Sequence, residues 1–155
     1  MPRPLRVTAL VLLLVAGCGR DARPVEARPI PSGPPAPWST MSFEARKAHM
    51  TTRVLPRMTR LFQAYDAKRF ARVTCETCHG AGAEQRAYRM PNPGLLPLYP
   101  SGHPEQLELV RRQPETVRFM FNRVVPEIQA LLGAEPYDPT TGTGLSCFAC
   151  HPRGE

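Results

Sequence analysis

Two short stretches concentrate the reactive side chains of this chain. "CETCH" at Cys75 to His79 and "CFACH" at Cys147 to His151 each carry two thiols separated by two residues and followed at once by an imidazole. The fifth cysteine, Cys18, stands far from both. Four thiolates can cage a zinc ion, thiols can pair as disulfides in an oxidising compartment, and a Cys-x-x-Cys-His run can hold a tetrapyrrole covalently. The span from Cys78 to Cys147 is far wider than zinc-ribbon spacing. Zinc and disulfides also leave both histidines without a task. Histidine is only 4 of 155 residues, so its place after both pairs is itself a signal.

The spacing suits covalent haem. Each thiol adds across one vinyl group to form a thioether, and two intervening residues place both sulfurs along one porphyrin edge. The next residue, on the same turn, points its imidazole at the iron. Both motifs therefore resemble those of the c-type cytochromes, without a departure. The resemblance implies two covalently attached haems c: one on Cys75 and Cys78 with His79 as proximal ligand, the other on Cys147 and Cys150 with His151. It also implies one-electron transfer between redox partner proteins rather than catalysis. A dihaem peroxidase-like enzyme or haem sensor with one open iron is the first alternative. A haem-free lipoprotein built on zinc or disulfides is the second.

The N-terminus bears on the compartment. Arg3 and Arg6 precede an apolar run from Val7 to Gly17, which is too short to span a bilayer and has signal-peptide proportions. Val15-Ala16-Gly17-Cys18 resembles the lipobox of bacterial lipoproteins, which implies cleavage after residue 17 and acylation of Cys18. Several acyl chains together anchor a protein stably to a bilayer. Residues 18–37 then form a tether with six prolines among charges, extended and solvated. The expected address is export and attachment to a bacterial membrane, on the periplasmic side of the outer membrane.

Residues 38–155 remain as the functional domain. The pI of about 9.6 suggests nucleic acid only until the charges are placed. From Trp38 onward there are 15 Lys or Arg against 11 Asp or Glu, and four propionates on two haems would offset that surplus. No nucleic-acid partner is expected. Nineteen prolines and 7% aromatic residues predict a thin core, with haem filling space that side chains do not.

What must position the two motifs is an internal repeat. "HMTTRVLPRMTRLF" from His49 aligns with "FMFNRVVPEIQALL" from Phe119, matching Met50, Arg53, Val54, Pro56 and Leu61 to Met120, Arg123, Val124, Pro126 and Leu131. Tyr65-Asp66 and Tyr137-Asp138 follow in the two copies. The predicted fold is mainly α: a small multihaem cytochrome c made of a duplicated helix-then-CxxCH unit with extensive loops, its half-repeats at about 41–104 and 111–155. Apolar faces run through Phe43, Met50, Val54, Met58, Leu61 and Tyr65, and through Val117, Met120, Val124, Ile128 and Leu131, at helical spacing. Pro56 and Pro126 should kink or interrupt both helices.

The order of helix before motif is similar to that in reaction-centre cytochrome subunits, where a Met on the helix binds the far face of the iron. Only "PRGE" follows His151, so the second haem must take any far-side ligand from earlier in the chain. Met120 is favoured there, His103 is second, and an open or water-bound iron is third. For the first haem Met50 and Met90 stand level, Met90 because Met-Pro resembles the closing loop of small cytochromes. Met58 shares the face of Met50 but matches Ile128 in the repeat, and His49 is the weaker choice. Loops from Met90 to Pro104 and at "TTGTG" should wrap the haem edges.

Overall fold

A computed structural model describes residues 33–155. The expected signal peptide, Cys18 and most of the tether lie outside the described residues. The fold is mainly α, as expected, with no β-strand among the described residues. Among the described residues no helix is long and apolar enough to cross a membrane.

Two long helices, residues 43–65 and 114–132, form the frame. The first starts at Ser42, whose hydroxyl accepts the Ala45 N–H at 3.2 Å, satisfying one of the orphan donors of a helix start. The second starts with Pro114 in its first turn, where a missing N–H costs nothing. It stops at Gly133, whose left-handed backbone (φ +59°) suits glycine and closes the last turn.

The repeat prolines do not break these helices. Met50–Val54 and Met120–Val124 each form a π turn, in which Leu55 N–H reaches Met50 O and Val125 N–H reaches Met120 O. Pro56 and Pro126 follow immediately. A proline ring presses on the carbonyl four residues back and offers no N–H. Adding one residue to the preceding turn relieves both problems while the helix continues.

That extra residue resets which side chains face inward. One residue is about 100° of helical rotation. Counting back from Val54, the buried position falls on His49 rather than Met50. Counting back from Val124 it falls on Phe119 rather than Met120. His49 and Phe119 are indeed buried, whereas Met50 and Met120 pack at the margin of the core. Phe43, expected on the buried face, is 43% exposed for the same reason.

The helices run antiparallel. His49 meets Leu131, Arg57 meets Glu127, and Tyr65 meets Thr116. Arg57 and Glu127 are equivalent positions of the repeat, seventy residues apart, so the crossing point lies on a local two-fold axis. Between the helices sit Val54, Met58, Phe62, Phe119 and Leu131, the last fully buried. Burying a leucine side chain contributes about 1.5–3 kcal/mol. Phe119 stacks on Tyr65 at 4.0 Å and meets Phe62 edge-on at 5.3 Å. The guanidinium of Arg57 grips the buried Glu127 carboxylate through two hydrogen bonds, 2.5 and 3.0 Å.

Outside this frame the only buried hydrophobic side chains among the described residues are Met41 and Ala83. Trp38, in a single 3-10 turn, lies edge-on to His49 at 6.0 Å, which joins the end of the tether to the frame. The remaining described residues are loop carrying the two CxxCH turns and one more helix, Pro104–Arg112.

Candidate functional site

The first motif forms a short helix, Cys75–His79. Thr74 and Thr77 exchange side-chain and backbone hydrogen bonds at its start, a reciprocal cap that fixes the entry of a turn otherwise too short to persist. Gly80 ends it at φ +84°. The second motif is looser. Cys147–Ala149 form a 3-10 turn, and the His151 N–H closes on Cys147 O at 2.9 Å.

The imidazoles sort the four histidines into two pairs. His79 Nδ1 lies 3.0 Å from Tyr88 O, and His151 Nδ1 lies 2.9 Å from Leu96 O. A carbonyl only accepts, so in both rings Nδ1 carries the proton and the neutral form leaves a bare lone pair on Nε2. Burial pushes the His79 pKa down, with the neighbouring Arg86 guanidinium acting the same way against the Tyr88 hydrogen bond. That ring is held neutral. An Nδ1–H on a main-chain carbonyl is the arrangement that orients a metal-binding imidazole.

His49 and His103 show the opposite tautomer. His49 donates Nε2–H to Leu131 O at 2.8 Å, capping a carbonyl that the helix end leaves without a partner. His103 accepts the Glu105 N–H on Nδ1 at 3.3 Å and stacks on Tyr99, which leaves its proton on Nε2. Neither ring presents Nε2 to a metal. Their tasks here are a helix cap and a helix start.

All four thiols of the two motifs are free. Burial raises Cys78 to about 11, with smaller contributions from Cys150 and then Cys75. Burial also raises Cys150, with Cys147 adding to it. One residue, Asn92, hydrogen-bonds both Cys78 O and Cys150 O, so the structure brings the two motifs together. Among the described residues no three His, Cys, Asp or Glu side chains converge as a metal-ligand group. The donor set fits two porphyrins: two thiols and one Nε2 lone pair at each site.

The methionines divide as well. Met58 is packed in the core between the helices. Met50 and Met120, each the first residue of a π turn, lie partly buried at its edge. Met90 is partly exposed in the loop after the first motif. One turn before Met50, Arg46 has a buried Nε with no hydrogen-bond partner.

The loop from Met90 onward carries connections that sequence reasoning missed. Asn92 donates from its backbone to Cys150 O and from Nδ2 to Cys78 O, both at 3.0 Å. Leu98 pairs with the C-terminal segment, donating to Pro152 O and accepting from Gly154 N–H. A loop was expected from Met90 to Pro104, and within it Asn92 Oδ1 accepts the Gly94 N–H, as Asn does in turns. Nothing in the sequence marked its other bonds. No protein-family model, curated protein or solved structure matches the chain.

Proposed function

We propose that this protein is a dihaem c-type cytochrome, tethered to a bacterial membrane through acylated Cys18, that passes single electrons between redox partner proteins. The observation that carries the reading is the sorting of the histidines. Only His79 and His151, the two that follow a thiol pair, hold Nδ1–H on a main-chain carbonyl and offer Nε2. A haem held there supplies an iron that cycles between ferrous and ferric states, its potential tuned by the far-side ligand. Cys75, Cys78, Cys147 and Cys150 would hold the rings, and the duplicated helix-then-CxxCH unit would bury them. The unpartnered Nε of Arg46 suits a propionate.

Met50 and Met120 are the far-side ligands this reading favours. The π turns keep both out of the core centre, and such turns often occur at functional positions. Met58 serves as packing, and Met90 remains the competitor of Met50 at the first site. The second site is the shallower one, with Cys147 exposed, so an open iron with peroxidase-like or sensing chemistry is kept as the second reading for it.

A pyridine haemochrome assay on exported protein tests the proposal directly. Two thioether-linked haems per chain are expected, and colourless material without bound tetrapyrrole would end it. The near-infrared methionine-to-iron band should vanish stepwise in Met50→Ala and Met120→Ala and survive Met58→Ala. Carbon monoxide or cyanide binding to the native protein would instead favour the open site.

A further inference from the structure

Both CxxC turns hang on one residue. Asn92 is 3% exposed, lies outside both motifs, and contacts the carbonyl of the second cysteine in each: Cys150 O through its backbone N–H and Cys78 O through Nδ2. Its Oδ1 is used as well, accepting from Gly94 N–H at 2.9 Å. The fit is tight. A Cβ on Gly80 would lie 2.4 Å from that oxygen, so the glycine after the first motif makes room for the clamp.

We propose that Asn92 is a positioning residue that locks the two haem-attachment turns against each other and thereby sets the electronic coupling between the two haems. The proposal rests on the dihaem reading. A c-type haem is fixed to its CxxCH turn at three points, two sulfurs and one imidazole. Holding the two turns in register holds the two rings in register. Interaction between two chromophores falls steeply with separation and depends on angle. A loosened clamp changes that interaction before it changes either haem alone.

The test uses full-length exported holoprotein with Asn92→Ala and Asn92→Asp, read by Soret circular dichroism and by haemochrome content. Asn92→Asp matches the side chain in shape but lacks the Nδ2–H donor. Native protein with two haems should give a bisignate Soret couplet. Both variants should keep two haems and lose most of the couplet, while the absorption maximum of each haem stays in place. A couplet of native amplitude in both variants overturns the proposal, as does native protein with two haems and no couplet. Loss of haem attachment in both variants also overturns it, by assigning Asn92 to building the turns rather than spacing them. Absence of haem from the native protein is a different result, which removes the cytochrome reading itself.

Discussion

The two long helices and the two CxxCH turns are held by different forces. Between the helices lie Val54, Met58, Phe62, Phe119 and Leu131, an aromatic stack and a bidentate ion pair. Around the CxxCH turns the cement is polar: Asn92 to both motifs, His79 to Tyr88, His151 to Leu96, and Leu98 to the C-terminal segment. Ala83 is the one buried apolar side chain of that region among the described residues. Hydrogen bonds individually add about 0.5–1.5 kcal/mol net, whereas apolar burial drives folding. One half can stand by itself. The other has no such core, and the proposed haems would supply one.

The sharpest way to break this contrast is to withhold the haem that the proposed function calls for. Protein made without export should keep amide-exchange protection in residues 43–65 and 114–132 and lose it across 75–103 and 147–155, by hydrogen-exchange mass spectrometry. Equal protection in both regions would show that the turns need no cofactor. Next in size, Leu131→Ala should destabilise by about 2–5 kcal/mol through the cavity it leaves, read by denaturant unfolding, with haem content unchanged.

Cys78 probes the other region. Its pKa of about 11 lies above that of an ordinary thiol, so at any pH below that value less of it is thiolate. In haem-free protein whose turns have melted, iodoacetamide at pH 8 should alkylate Cys78 at the rate of an unhindered cysteine; turns that stayed folded without haem would slow it about a hundredfold, since each unit is tenfold in thiolate. A smaller effect returns to the helices. Arg57→Met leaves the Glu127 carboxylate buried without its partner and should cost about 1–3 kcal/mol. The double variant Arg57→Met, Glu127→Leu should recover most of it.

Much of this was readable in the sequence. The CxxCH motifs, the mainly helical character and the repeat all rest on local pattern, and local pattern survives folding. Val54, Met58 and Leu131 are core residues as their spacing foretold. Periodicity misled where it assumed 3.6 residues per turn throughout. The prolines were noticed, but they widen the helices instead of breaking them, and one added residue moves His49 and Phe119 inward and Phe43 outward. Asn92 was beyond reach because its partners, Cys78 and Cys150, are distant in sequence. The acceptors of the His79 and His151 imidazoles, Tyr88 O and Leu96 O, are main-chain atoms, and no side-chain pattern names a main-chain atom.

One detail of the helix crossing carries further. Arg57 and Glu127 occupy the same place in the two copies of the repeat, facing each other across the local two-fold. A molecule assembled from two first halves would set guanidinium against guanidinium there. Two second halves would oppose carboxylates in a dry setting. Opposite signs at that single spot make each half choose the other over its own kind.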